Sequence, residues 1–356
     1  MNHPGSYRIL MLGDIHFDGS AYHVREPENQ VQKNGRARNL AMWNGKSQEM
    51  LAEAASKLDG TFPFVIQAGD LIHGDCDTEE LQKKMFRDMF AFLKRTFPRL
   101  PVLPVIGNHD LRLLDSEPRW NEYDETGRCL QEISGEYGPV RDALMPCVAR
   151  EAGLPEVPAT TDYAIRHGRD LYIFIDPFQP GGVRGFIRKT LAENPDTRYV
   201  FLVTHLQLLP CDPSKILALW LVPDLEEVAG MLAERNAVIL TGHTHYHQLV
   251  QYRHPKGTLT QLVVSSMSTN WRHPEPMKLW AADYAEYASK MSPYVDVPQL
   301  ACFPAKNYPV HRTWCCEIGG KRSSTAGYAV LQIDGAGIRA EIYTGGSAPE
   351  LTLKLL

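Results

Sequence analysis

Five times along this 356-residue chain, a short apolar run ends in a polar motif rich in Gly, Asp, Asn and His. Residues 8–12 lead into Gly13-Asp14-Ile15-His16, residues 62–67 into Gly69-Asp70, and residues 100–106 into Gly107-Asn108-His109-Asp110. Residues 199–204 lead into His205, and residues 237–241 into Gly242-His243-Thr244-His245. Continuous apolar runs of this kind, with a further one at 171–175, read as strands covered on both faces. Helical patterns fall between them, at 46–58, 77–97, 140–152, 183–193 and 224–234. Alternating strands and helices predict crossover connections and a largely parallel sheet. In such sheets functional side chains gather at the C-terminal ends of the strands, where all five motifs stand.

The helix at 77–97 opens with a capping-box arrangement, Asp77-Thr78-Glu79-Glu80. Its apolar residues Leu81, Met85, Phe86, Met89, Phe90 and Leu93 share one face at helical spacing. After Gly242 the pattern changes to strands in a row, at 247–253, 259–265, 328–333 and 337–343, with Asp334-Gly335 as a hairpin signal. These predict a more antiparallel sheet element closing the chain. Two segments interrupt the scheme: a polar stretch at 17–44, and an aromatic-rich one at about 269–325 that includes Trp271, Trp280 and Trp314. Long segments of this kind in compact domains tend to be functional. The reading is a single domain over 1–356 with an inserted cap at about 269–325, in which Arg272 is a candidate phosphate clamp.

Charge and cysteine usage narrow the function classes. The 37 basic residues against 42 acidic ones leave a net charge of −5, which argues against nucleic acid as a partner. Seven cysteines, an odd number without a CxxC pair, argue for a reducing compartment over a disulfide framework. The N-terminus lacks a basic, apolar signal segment, and no run is apolar enough to span a membrane. The expected location is cytoplasmic.

The chemistry lies in the donor types. Asp14, His16, Asp70, Asn108, His205, His243 and His245 are oxygen and imidazole donors without a thiol among them. Such a set suits first-row cations better than a thiolate-rich structural zinc site. Asp14 and His16 alternate along an extended stretch, so both can reach one ion. Two alternate imidazoles, His243 and His245, seldom serve packing, because their ring nitrogens need partners. Each motif alone has an ordinary structural explanation; five in order, each at a strand end, do not.

The ordered set resembles the calcineurin-like metallophosphoesterase superfamily, whose pattern runs DxH, GD, GNH(D/E), H, GHxH, and the match covers about residues 7–254. The resemblance implies an α/β fold, a four-layer αββα sandwich with two facing mixed sheets. It implies that Asp14, His16, Asp70 and His245 bind one metal, that Asp70 bridges, and that Asn108, His205 and His243 complete a second site. The cofactors implied are two divalent or mixed-valence ions of Mn, Fe or Zn. His109 is similar to the family's catalytic histidine beside the leaving group. The expected activity is hydrolysis of a small-molecule phosphomonoester or phosphodiester by a metal-bridging hydroxide, with a protonated His109 meeting the phosphoryl or leaving oxygen.

Two departures narrow the branch. Gly69-Asp70-Leu71-Ile72-His73-Gly74-Asp75 lacks the arginine of the protein Ser/Thr phosphatases. His73 stands where purple acid phosphatases have a metal-binding Tyr, and reads as a neighbour of the site more than as a ligand. His247 continues the alternation after His245 and reads as a bystander. The alternative function is a catalytically silent member of the fold serving as a scaffold for protein interactions; measured metal content separates the two.

Overall fold

A computed structural model of the chain describes residues 5–27, 30–113, 137–178, 183–209, 225–245, 247–267, 312–314 and 326–356. The strands are β1 (Tyr7–Leu12), β2 (Val65–Gln67), β3 (Val102–Pro104), β4 (Tyr163–His167), β5 (Asp170–Ile175), β6 (Val200–Thr204), β7 (Val238–Thr241), β8 (His247–His254), β9 (Gly257–Val263), β10 (Arg312–Trp314), β11 (Tyr328–Asp334), β12 (Gly337–Tyr343) and β13 (Leu351–Lys354). The α-helices are α1 (Gln30–Met42), α2 (Gln48–Ser56), α3 (Glu79–Thr96), α4 (Met145–Ala152), α5 (Val183–Glu193) and α6 (Leu225–Ala233).

These strands form two sheets, ordered β13-β12-β11-β1-β2-β3 and β10-β8-β9-β7-β6-β5-β4. In the first, β1, β2 and β3 run parallel, whereas β11, β12 and β13 join antiparallel. In the second, β5, β6, β7 and β9 are parallel and β4 and β8 are antiparallel additions. Both sheets are therefore mixed. The antiparallel strands near the C-terminus do not build a sheet of their own. They are divided, with β8 and β9 extending the second sheet and β11 to β13 extending the first. Short apolar runs reveal that a strand exists but not which edge it joins.

The sheets face one another. Tyr7 Oη donates to Asp170 Oδ2 at 2.6 Å, and Tyr163 Oη donates to the Pro104 carbonyl at 2.7 Å. The ring of Phe64 meets Tyr172 edge-on at 5.1 Å. Ile9, Leu10, Met11 and Leu12 are all fully buried, which explains the unbroken apolar run of β1. Outside the first sheet pack α3, against α2, and α4, against β3; α5 and α6 pack together on the second. The result is the αββα sandwich.

Local sequence accounts for most elements. Helix α3 begins at Thr78, whose side chain accepts from the Leu81 amide at 3.3 Å. Asp77 is not the cap, and its carboxylate instead accepts from the Arg25 amide and pairs with Arg36. Met85, Phe86, Met89, Phe90 and Leu93 are buried as the helical spacing requires, each contributing about 1.5–3 kcal/mol of burial. The predicted polar stretch at 17–44 contains α1, whose weakly amphipathic sequence carries little periodic signal. Trp43 anchors its end between Phe17 and Phe92. The cap at 269–325, including Arg272, lies outside the described residues apart from Arg312–Trp314, which pairs with β8. Among the described residues no helix is long and apolar enough to cross a membrane.

Candidate metal centre

All five motifs follow the C-terminal ends of β1, β2, β3, β6 and β7 and meet at one end of the sandwich. Backbone constraints bring them close. A Cβ on Gly69, at φ +90°, would fall 2.4 Å from His205 Nδ1, and one on Gly242 would fall 2.4 Å from Asp14 Oδ1. Only glycine permits either approach. His16, Asp70, His243 and His245 all take left-handed backbone conformations, φ 51°, 53°, 71° and 61°. Such strain clusters at functional sites.

Each of the two central carboxylates divides its oxygens. Asp14 Oδ1 accepts from the His243 amide at 2.9 Å, while Oδ2 lies 2.8 Å from His245 Nε2. Asp70 Oδ1 accepts from the His109 amide at 2.9 Å, while Oδ2 lies 3.4 Å from His205 Nε2 and 3.8 Å from His16 Nε2. His16 Nε2 and His245 Nε2 are 3.3 Å apart. Three clusters result, Asp14–His16–Asp70–His245, Asp70–His205–His243 and the carboxylate-free His16–His73–His109, and Asp70 belongs to the first two.

The second cluster shows what these donors need. His205 Nδ1 lies 2.7 Å from the Ala68 carbonyl, which only accepts, so Nδ1 carries the ring proton. Nε2 then faces Asn108 Oδ1 at 3.1 Å, His243 Nδ1 at 3.1 Å and Asp70 Oδ2. These converging acceptors need positive charge between them, which a second ring proton supplies in the metal-free chain and a bound cation would supply in its place. Orienting a ring through its second nitrogen is also how ligating histidines are held. The residues therefore fit a metal ion. The electrostatics agree. Burial works against a charged His205, yet Asp70, by charge and hydrogen bond, and Asp14, by charge, raise its pKa to about 9. For Asp14, burial opposes ionisation, but the His245 and His205 charges and the His243 amide lower its pKa to about 2.

His109 joins the centre at its edge. Its ring stands edge-on to His16, with centroids 4.6 Å apart. Nδ1 donates to the His73 carbonyl at 2.7 Å, and Nε2 receives Arg112 Nη1 at 3.1 Å. Burial first, and the Arg112 charge second, push the His109 pKa well down. Both favour the neutral ring in the substrate-free centre. Asp110 is fully buried, and its oxygens accept from the Ile72 amide at 3.0 Å and the Gly107 amide at 2.9 Å. It braces the turn that presents Asn108 and His109. Burial, with the Asp70 charge behind it, raises the Asp110 pKa to about 7.

The family comparison now decides the kinship. The calcineurin-like phosphoesterase model matches residues 7–247, a span that holds every motif described above. The chain belongs to the calcineurin-like phosphoesterases. Solved structures of this calcineurin-like phosphoesterase's fold include PhoD, with a TM-score of 0.53 and 10% identity over 96% of this chain and 66% of that one. The chain thus spans just under two thirds of the PhoD length. A dimetal phosphatase from Danio rerio gives a TM-score of 0.51 with 11% identity, covering 98% of this chain and 99% of that one. GAP50, described as the anchor in the inner membrane complex of Plasmodium, gives 0.50 with 12% identity over 98% and 88%. At such identities these likenesses concern the fold alone. Comparison with curated proteins returned no match.

The structure brings all seven expected metal donors and His109 together. Sequence reasoning missed Arg112 and Asn39. Arg112 lies two residues past the Gly-Asn-His-Asp motif, and Asn39 lies in the segment read as loop. Asn39 contacts His73 Nε2, and His73 is itself buried beside His16 and His109. His247 is buried, with its pKa pushed down by burial to about 3, away from the clusters as expected of a bystander.

Proposed function

We propose that this chain is a dinuclear metal-dependent phosphoesterase. The observation that carries the reading is the shared carboxylate: Asp70 belongs to two adjacent donor clusters, one rich in imidazole on each side. Asp14, His16, Asp70 and His245 would hold one ion, and Asp70, Asn108, His205 and His243 the other. When bound, a pair of Mn, Fe or Zn ions supplies Lewis acidity toward phosphoryl oxygens and makes water a nucleophile at neutral pH. The complete donor set supports an enzyme over a silent scaffold.

The chain's own residues do the rest. The Asp70–His109 amide bond fixes the ring at the edge of the centre. The His73 carbonyl holds Nδ1–H, so only Nε2 can exchange a proton. A phosphoryl dianion beside Nε2 offsets the Arg112 charge and favours the imidazolium. His109 then takes up a proton as substrate binds and passes it from Nε2 to the leaving oxygen.

The single-domain reading of 1–356, with its cap, belongs to the same proposal. Both roots of the insert lie beside Asp14. The Met267 amide donates to the Asp14 carbonyl at 2.8 Å, and the Gly327 amide donates to the Ser266 carbonyl at 3.1 Å. This supports a cap that sets the choice of small phosphoester, with Arg272 as its candidate clamp. Cys76 and Cys147 are free thiols, which supports a reducing, cytoplasmic setting. The test is elemental analysis together with hydrolysis of nitrophenyl phosphate and bis(nitrophenyl) phosphate under Mn²⁺ and Fe²⁺. Two ions per chain and turnover of either ester are expected; one ion or none sinks the dinuclear reading, and bound metal without turnover of any phosphoester favours the scaffold.

A further inference from the structure

Arg112 faces the centre beside His109, a member of the His16–His73–His109 cluster, without being a metal donor itself. It directly follows the short helical turn His109–Leu111, so its backbone is carried by the same motif that presents Asn108. Nη1 lies 3.1 Å from His109 Nε2 and 3.3 Å from Nδ1. Nε pairs with Asp75 Oδ1 at 3.2 Å. Asp75 in turn has its other oxygen 3.5 Å from His73 Nε2. The Arg112 carbonyl accepts from the Asp75 amide at 3.2 Å and from Gln82 Nε2 at 3.3 Å. Gly74 admits this packing, since a Cβ there would fall 2.2 Å from the His109 carbonyl oxygen. The guanidinium is thus tied at Nε, fixed at its backbone, and still 23% exposed on the side chain.

A guanidinium has only donors, arranged in a planar fork that matches phosphate oxygens. With Nε committed to Asp75, the two terminal nitrogens remain to be directed. Their partner at the centre, His109 Nε2, is a single neutral acceptor. A charged phosphoryl oxygen is the stronger acceptor by roughly a factor of two. Transfer of Nη1 from His109 to such an oxygen also frees Nε2 for the proton it must carry. No second motif arginine is available, because Gly69-Asp70-Leu71-Ile72-His73-Gly74-Asp75 has none.

We propose that Arg112 is a phosphate-binding residue that favours phosphomonoesters over phosphodiesters, an inference that rests on the phosphoesterase reading above. A monoester phosphoryl group carries a charge of about −1.5 to −2 at neutral pH, with three terminal oxygens. A diester carries one charge on two terminal oxygens, and its remaining oxygens bear carbon. The additional cation therefore rewards the monoester more. Asp75 is the positioning residue, since it holds Nε and leaves the fork turned toward His109.

The test compares metal-loaded wild type with Arg112→Ala and Arg112→Lys on nitrophenyl phosphate and bis(nitrophenyl) phosphate, which share a leaving group and differ in charge. Arg112→Ala is expected to lower kcat/KM for the monoester about 10²-fold and for the diester about tenfold or less. Arg112→Lys keeps the charge but cannot hold Asp75 and reach the phosphoryl together. It is expected to recover only part of the monoester loss, and it carries the comparison if the alanine variant does not fold. A wild type that prefers the diester, or equal losses on both esters, overturns the proposal. Inorganic phosphate is titrated calorimetrically into the same metal-loaded proteins, and a loss of affinity of about tenfold or more in Arg112→Ala is expected. Equal phosphate affinity overturns the assignment of Arg112 even where neither ester turns over, and that absence of turnover counts against the phosphoesterase reading separately.

Discussion

The Asp70 carboxylate accepts the His109 backbone amide at 2.9 Å through the oxygen that does not face the imidazoles. One side chain thereby sets the distance between the metal donors and the residue assigned to the leaving group. Moving Asp70 moves both.

Asp70→Asn tests that double role. The carboxamide oxygen can keep the His109 amide bond, but the charge shared by the two clusters is gone. Both ions are expected to be lost or weakened about 10–100-fold or more in affinity, whereas Asn108→Ala is expected to affect one. Elemental analysis after dialysis reads the difference. An Asp70→Asn protein that retains two ions would show that no bridge exists.

His109→Asn is expected to lower kcat about 10²–10⁴-fold while leaving metal content near normal. The loss should shrink for esters of good leaving groups such as nitrophenol. A drop equal for good and poor leaving groups would assign the ring to phosphoryl stabilisation instead of proton delivery.

Stability should depend on pH through His205. Its pKa rises from 6.5 to about 9 in the folded chain. A raised imidazole pKa stabilises the fold fully below about pH 6.5, and the benefit is lost as pH climbs through about 9. Asp14 runs the other way, with its benefit present above its ordinary 3.8 and lost as pH falls toward about 2. Chelator-treated protein is therefore expected to melt at steadily lower temperature between pH 6.5 and 9. Metal affinity is expected to strengthen over the same window, because an ion displaces the His205 proton. Thermal melts of wild type and His205→Gln decide it; identical slopes would remove His205 as the cause.

Gly242→Ala should disable the centre without unfolding the sandwich. Its Cβ would fall 2.4 Å from the Asp14 oxygen that accepts the His243 amide. Gly335→Ala, in a hairpin turn where a Cβ meets nothing within 4 Å, is the matched control. Circular dichroism near wild type in both, with metal lost only from the first, is the expected pattern. Normal metal retention in Gly242→Ala would mean that Asp14 yields to the added methyl group without losing its ion.

Much of this was legible because the relevant residues are local to strand ends. The apolar runs before Asp14, Asp70, Asn108, His205 and His243 announce buried strands, and the glycines in the motifs announce turns too close for a side chain. Strands β11 and β12 were visible as elements, while β13 was not read; the pairing of β11 with β1 was not visible either, since pairing across more than three hundred positions leaves no local trace. Strand β4, at the edge of its sheet with intermediate burial along most of its length, and helix α1, with little amphipathic pattern, carry weak periodicity. The surroundings that favour a neutral His109 ring, its burial first and the Arg112 charge second, were not legible, since both arise only through the fold.

Both clusters that contain Asp70 draw on both sheets: Asp14 and Asp70 follow strands of the first, while His205, His243 and His245 follow strands of the second. At the opposite end of the sandwich, Tyr7 at the start of β1 and Asp170 at the start of β5 join the sheets by a hydrogen bond, backed by Arg198. The protein's own hydrogen bonds therefore close the sandwich at both ends, since His205 Nδ1 meets the Ala68 carbonyl and the His243 amide meets Asp14 across the seam at the donor end. Ions held there would tighten a seam that is already shut, and slower hydrogen exchange at the C-terminal ends of β1, β2, β6 and β7 on metal loading, with none at the Tyr7 end, is the expected sign of it.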